Sequence, residues 1–312
     1  MRRRPSPTIS TGSSRHSLGD RLFEGFERGR ITTSGAEINF IRGGDGPPVL
    51  LLHGYPQTHA MWHLVAPQLA RDFTVVAADL RGYGDGSKPF GKEDHSTYSK
   101  RSMAGDQTSV MDALGFDSFA VVGHDRGGRV AHRLTLDFPE RVSKLAVLDI
   151  VPTLHTFETV DKDLATSYYH WFFFIQPYDL PETLIGGDPA YYLHKKLAGW
   201  GTPLETFAPE ALAEYERCFD EATIHASCED YRAAASIDLV HDEQDRNEAR
   251  KVECPLLALW GGRGVMEKTY DVEAVWREYA TDVKGKPLDA GHFLAEERPE
   301  ETVRELREFL KG

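Results

Sequence analysis

Val121-Val122-Gly123-His124-Asp125-Arg126-Gly127-Gly128 runs from an apolar, strand-like stretch through G-x-D-x-G into a segment with helical spacing. A strand-to-helix reversal this sharp brings backbone so close together that only glycine fits two positions either side of residue 125. The pattern therefore holds Asp125 out at the carboxyl edge of a sheet, facing a helix N-terminus that favours its ionised form. A carboxylate so placed is a candidate nucleophile. It would displace a leaving group at saturated carbon and leave an alkyl ester for water to hydrolyse, which disfavours the acyl chemistry of a serine at the same turn. The competing reading, Asp125 as a plain helix cap, leaves the elements that follow unexplained.

Working outward, Val49 to His53, Phe73 to Leu80, Phe119 to Gly123, Lys144 to Ile150 and Leu256 to Gly261 read as buried strands, with Lys286 to Asp289 as a weaker last one. Gly43-Gly44-Asp45-Gly46, between Glu37 to Arg42 and Val49 to His53, carries a hairpin signal. Residues 60–71, 97–114, 128–138 and 299–310 have helical spacing, the last with Pro299 in its first turn. Residues 151–250 break the rhythm, being mostly helical and strongly aromatic at first, as expected of a helical cap inserted into a core formed by 21–150 and 251–312. Residues 1–20, basic and rich in Ser and Pro, are expected to be a disordered extension. This layout is that of the α/β-hydrolase fold: a mostly parallel central sheet flanked by helices, with an inserted helical cap.

Three further groups complete the chemistry. Leu52-His53-Gly54-Tyr55-Pro56-Gln57 follows the second strand, where this fold supplies an oxyanion-hole N–H, so the backbones of Tyr55 and Arg126 are the expected donors. His53 is read as packing the loop. Of the 13 histidines, His292, in Leu288-Asp289-Ala290-Gly291-His292-Phe293, follows the last strand and a glycine and comes after the nucleophile and acid in chain order, and it is the candidate general base. The acid is expected at Asp149, which closes the apolar run before Pro152. The alternative position after Leu259-Trp260-Gly261 offers Arg263 instead of a carboxylate.

Composition excludes other classes. A net charge of -13 argues against nucleic acid or an anionic membrane as partner, and no run of about 18 apolar residues is present. If the substrate is an anion, buried arginines must capture it locally. Cys218, Cys228 and Cys254 are too few and scattered for a disulfide framework or metal site; all three are expected to be buried thiols, in a cytoplasmic chain that needs no metal or cofactor. With 16 Phe, 12 Tyr and 5 Trp there is ample material for an apolar pocket.

These residues, with Asp79-Leu80-Arg81-Gly82-Tyr83-Gly84 and Lys88-Pro89, resemble the epoxide hydrolase and haloalkane dehalogenase branch of the α/β-hydrolases, from about residue 35 to the C-terminus. Gly-His-Asp-Arg-Gly-Gly-Arg, the acid at Asp149 and His170-Trp171 look more narrowly like the fluoroacetate dehalogenases. The sister groups usually carry Trp after the nucleophile, where this chain has Arg126, a group suited to a carboxylate. Arg129, at i+3, can face the same ligand. The resemblance implies that Arg126 and Arg129 bind the carboxylate of a small anionic 2-haloacid, that His170, Trp171 and Tyr231 receive the halide, and that the enzyme is a homodimer. Two rivals stay open. An epoxide hydrolase would use the same triad with two cap tyrosines as acids, drawn from Tyr168, Tyr169, Tyr191, Tyr192 and Tyr215. A non-catalytic hydrolase-fold binding protein is the other.

Overall fold

A computed structural model describes residues 22–312 and the backbone of Ile9 and Ser10. Among these, nine strands form one sheet: β1 (Ile9–Ser10), β2 (Glu27–Thr32), β3 (Glu37–Gly43), β4 (Pro48–Leu52), β5 (Thr74–Ala78), β6 (Phe119–His124), β7 (Val142–Leu148), β8 (Leu256–Gly261) and β9 (Val283–Leu288). Their order is β1-β2-β3-β5-β4-β6-β7-β8-β9, antiparallel as far as the β3–β5 pair and parallel from β5 onward. Strands β4, β5, β6 and β8 are buried at almost every position, which is why they read as unbroken apolar runs rather than alternations. The edge strand β9 keeps only Leu288 buried.

Several details depart from the sequence expectations. The Gly43-Gly44-Asp45-Gly46 turn does not close a hairpin, because β5 lies between β3 and β4 and pairs with both. Its glycines serve a close approach instead: a Cβ on Gly44 would stand 2.2 Å from the Phe73 carbonyl oxygen, and one on Gly46 2.4 Å from that of Asp72. The true hairpin is β2–β3, turning at 33–36. The helix expected over 60–71 is a 3-10 turn, His59–Trp62, followed by one α-turn, Ala66–Leu69, with Pro67 fixing the new start. At Ile9–Ser10 the extension expected to be disordered is a strand, which pairs with Arg30 and Ile31 on the open edge of β2. The remainder of that expectation, at 1–8 and 11–20, lies outside the described residues. Cys218 and Cys228 are buried free thiols, but Cys254, in the loop before β8, is only partly covered.

Between β7 and β8 the chain forms eight α-helices, from Thr153–Glu158 to Ile237–Asn247. None of the described helices is long and apolar enough to cross a membrane.

The chain leaves β4 for β5 on one side and returns to β6 on the other. The carboxyl ends of β4 and β6 thus form a switch point, the place where open α/β sheets hold their ligands. Strand register then delivers the functional loops. Leu52 pairs with Gly123, His124 with Leu148, Leu148 with Leu259, and Gly261 with Leu288, so residues 54, 125, 149 and 262 leave the sheet side by side.

The elbow has no room to spare. A Cβ on Gly123 would lie 2.4 Å from the Gly127 carbonyl oxygen, and one on Gly127 2.3 Å from that of His53. Gly123→Ala is therefore expected to cost about 2–4 kcal/mol through backbone displacement, read as a fall of several degrees in Tm. A Tm equal to that of the unsubstituted protein would show that the turn has slack.

Candidate active site

Asp125 occupies a left-handed backbone conformation, φ 47°, that a non-glycine residue adopts only when its surroundings impose it. It precedes the helix Arg126–Asp137 but makes no capping hydrogen bond with its side chain. Its Oδ1 instead accepts from the Tyr55 N–H at 2.9 Å. That amide can come so near because Gly54 lies directly over the carboxylate, where a Cβ would stand 2.4 Å from the Asp125 Cβ. The second expected donor, the Arg126 amide, makes no bond to Asp125 here. Burial raises the Asp125 pKa, yet His292, His124, Arg126 and Arg129 more than offset it and hold the carboxyl below its ordinary value.

His292 is buried, with Nδ1 2.5 Å from Asp149 Oδ2 and Nε2 4.0 Å from Asp125 Oδ2. The Asp149 bond fixes Nδ1 as the protonated nitrogen, leaving Nε2 as a lone pair beside Asp125, too far for a direct hydrogen bond but suited to a water. Asp149 also lies in the left-handed region, at φ 54°, and its Oδ1 accepts from the Gly261 N–H at 2.9 Å. The carboxylate at the end of β7 thus reaches the end of β8, where the sequence has Arg263 and no acid. Arg263 itself turns outward to Asp289 and Glu297. For His292, burial lowers the pKa, but the bond to Asp149 and its charge raise it further, so the net direction is upward. His124 donates Nε2 to the His292 carbonyl at 2.9 Å and stays neutral, burial pulling it down to about 3. His53 packs the loop: Nδ1 bonds Gly54 O and Nε2 accepts from the Leu80 N–H, both at 3.0 Å.

The two arginines differ. Arg126, with no exposed surface, gives Nε and Nη2 to the carboxylate of Asp230 at 3.0 and 2.6 Å, while its buried Nη1 has no partner. Arg129 is also buried but, among the described residues, meets no carboxylate. Its Nη1 donates to Val151 O and Thr153 Oγ1, its Nε is unpartnered, and its guanidinium lies 4.5 Å over the Trp171 ring. Burial and repulsion from Arg126 both lower its pKa.

His170 and Trp171, on the helix Tyr169–Phe174, are brought together with Tyr231, on Glu221–Ala234. Ring centroids of His170 and Trp171 lie 5.4 and 5.9 Å from that of Tyr231, and Tyr231 stands 5.8 Å from Tyr55. The His170 Nδ1 and Tyr231 hydroxyl are buried without partners. Burial, reinforced by Lys196 and the arginines, holds His170 neutral. Of the five other tyrosines, Tyr215 has its hydroxyl engaged by Glu296, and Tyr169 and Tyr191 are exposed. Tyr168 and Tyr192 stay near the site, Tyr192 with an unpartnered hydroxyl.

Two neighbours escaped the sequence reading. Trp200 stands 5.0 Å from His292 and 5.2 Å from His170, its backbone at φ 53°. The signal was Gly199-Trp200-Gly201, a turn that presents one large ring. Asp230 precedes Tyr231 and gathers Arg126, Lys100 and the Tyr83 hydroxyl. No group of three or more potential metal ligands was found among the described residues.

Residues 47–299 match the alpha/beta hydrolase fold family. A fluoroacetate dehalogenase of Burkholderia sp is 48% identical over 93% of this chain and 95% of its own. A soluble epoxide hydrolase of Corynebacterium sp. is 32% identical over 89% of this chain and 94% of its own. Among solved structures, a protein from Nostoc sp PCC 7120 assigned to the alpha/beta hydrolases superposes with a TM-score of 0.90 at 59% identity, covering 91% of this chain and 98% of the other.

The His292–Asp149 contact makes a directional claim about protonation. Asp149 favours the imidazolium, so in Asp149→Asn burial dominates and the His292 titration moves to lower pH. Imidazole NMR of both proteins measures it. An unmoved titration would mean that the contact carries no charge coupling.

Proposed function

The chain belongs to the alpha/beta hydrolase fold family, in the branch shared by fluoroacetate dehalogenases and epoxide hydrolases, and from that premise we propose that it is a hydrolytic dehalogenase of small 2-haloacids, converting fluoroacetate to glycolate and fluoride. One observation carries this reading: among the described residues, Arg129 is a buried cation without a carboxylate partner, beside an Arg126 whose Nη1 has no hydrogen-bond partner. An uncompensated buried charge costs about 3–5 kcal/mol, so such a pair is what a site for a small carboxylate requires. A neutral haloalkane or epoxide would not use it.

In this proposal Arg126 Nη1 and Arg129 Nε hold the substrate carboxylate. Tyr55 N–H retains Asp125 Oδ1, so Oδ2 attacks the α-carbon from behind the carbon–halogen bond. The bond pair leaves with the halide, received by His170, Trp171 and Tyr231, and configuration inverts. His292 Nε2 then takes a proton from water, which attacks the Asp125 ester carbonyl. The Tyr55 and Arg126 amides hold the oxyanion while Asp149 stabilises the imidazolium. Collapse expels the alkoxide, which takes the His292 proton to become the 2-hydroxyacid, and Asp125 loses its remaining proton to solvent and returns to the carboxylate. No metal or organic cofactor is required.

The epoxide hydrolase reading draws on the Corynebacterium relative and on the unpartnered hydroxyls of Tyr231 and Tyr192, which could protonate an opening ring. It leaves Arg129 without a counter-ion. Retention of all three candidate triad groups in contact argues against a non-catalytic binding protein. We also propose a cytoplasmic homodimer, consistent with the free cysteines and with exposed Tyr178, Leu180, Leu184 and Tyr191 in the inserted segment.

Fluoride release from fluoroacetate should fall in Arg129→Leu by on the order of 2–5 kcal/mol in kcat/KM, and fluoroacetamide should be a far poorer substrate. Equal rates for acid and amide, or faster turnover of an epoxide, would transfer the assignment to the second reading.

The covalent step has its own readout. His292→Asn should still alkylate Asp125 but stall hydrolysis, so intact-mass spectra should show a trapped ester. A fully active variant removes His292 from the mechanism.

A further inference from the structure

Behind the oxyanion turn lies a carboxyl group that the proposed mechanism does not use. Glu296, on the short helix Leu294–Glu297 that follows His292, is buried, and its Oε1 accepts from the Tyr215 hydroxyl and from Gln57 Nε2, the latter at 3.2 Å. Gln57 Nε2 also donates to Tyr215 Oη at 3.1 Å, closing a triangle. Each corner belongs to a different part of the site. Gln57 lies two residues after Tyr55, whose amide holds Asp125, and its own N–H donates to Gly54 O at 2.9 Å. Tyr215 is on Pro209–Cys218, one of the inserted helices. Glu296 is four residues from His292.

Among the described residues, no cation faces this carboxyl. From the 3-10 turn comes His63, whose Nδ1 is 4.0 Å from Glu296 Oε2, but that nitrogen donates to Ala60 O and burial lowers the ring's pKa, so it is neutral. From the Tyr215 helix, Glu214 is paired with Arg217, and Glu210 acts on His63. From its own helix, Glu297 is taken up by Thr202, Arg263 and the amides of Gly291 and Phe293. The C-terminal helix Pro299–Lys311 contributes Thr302, bonded to Leu294 O. Glu296 Oε2 accepts no hydrogen bond from any of the described residues.

We propose that Glu296 is a positioning residue for ester hydrolysis, clasping the Tyr55 turn and the inserted helices to the segment that carries His292. It works as a neutral acid: only neutral donors reach it, and two charged oxygens would be left in a buried site with one of them unsolvated. Burial pushes its pKa up to about 8. Above that pH the clasp acquires an uncompensated charge, the contact among the three elements loosens, and hydrolysis slows.

The activity readout rests on the haloacid reading, so the test has a second arm that needs no substrate. In kinetics, Glu296→Gln should keep kcat within about two-fold near neutral pH and lose the alkaline fall near pH 8, whereas Glu296→Leu should lower kcat at every pH. Tyr215→Phe removes the bond that lowers the Glu296 pKa, so it should move the alkaline limb upward while reducing kcat. In thermal unfolding the sign follows from linkage. A carboxyl raised from 4.5 to about 8 on folding makes the wild type lose stability as pH rises through that window, and glutamine does not titrate. The Tm of Glu296→Gln relative to wild type should therefore climb between about pH 5 and about pH 8. A pH-independent difference overturns the neutral acid, whatever the substrate proves to be. A rising difference with an unmoved alkaline limb, or equal kcat losses in the Gln and Leu variants, overturns the positioning role.

Discussion

Everything at the site depends on how closely the loop after β4 can approach the turn after β6. Gly54 meets Asp125 at a distance no Cβ would allow; Gly123 meets the Gly127 backbone, and Gly127 the backbone of Leu52 and His53, in the same way. This contact lets the Tyr55 amide reach the carboxylate and splits its two oxygens into different environments, Oδ1 held by an N–H and Oδ2 left toward His292. The left-handed backbone at Asp125 stores strain on the order of 1–3 kcal/mol, which only a rigid, fully buried pair of strands can impose. Asp149 repeats the device one strand further along.

Charge arrangement is the second constraint, and it is local. The shell is acidic, at -13 overall, yet two guanidiniums and Lys100 converge beneath the inserted helices. Asp230 answers Arg126 and Lys100, while Asp238 also lies 3.4 Å from Lys100. Arg129 is opposed mainly by Asp125, through space. Once Asp125 becomes an ester that opposition vanishes, which favours keeping an anion beside the arginines throughout the proposed covalent step.

How much of this could be read in the sequence varied with the physical origin of the signal. The elbow was legible because its glycines answer a steric demand that leaves no alternative. His292 and Asp149 were legible because each closes a recognisable strand, and register then fixes where strand ends lie. β2 was missed because only Gly29 and Ile31 in Glu27–Thr32 are buried, so it has no apolar run to announce it. The hairpin expected at Gly43–Gly46 failed because turn chemistry is silent about which partner a strand takes; Val75, Val76 and Ala77 of β5 make it the better neighbour for both flanking strands. That Arg129 lacks a carboxylate is a statement about the whole surrounding shell, and no local pattern encodes it.

The inserted helices and the sheet divide the proposed chemistry along a definite line. The sheet supplies groups whose position is set by backbone: Asp125, Asp149, His292 and the Tyr55 amide. The insertion supplies groups whose position is set by side-chain packing: His170, Trp171, Tyr231 and Trp200. The two halves meet where Asp230 and Tyr231 occupy consecutive positions on one helix. Asp230 fixes the plane of Arg126, and the guanidinium lies 4.1 Å over the Tyr231 ring, so the same contact orients a candidate carboxylate donor and a candidate halide donor. The spacing between carboxylate and leaving group in the proposed substrate is thus tied to one turn of helix. A longer 2-haloacid would have to place its extra carbons away from that turn, toward Trp200 and Lys196, where the wall is made of rings and one amine rather than backbone.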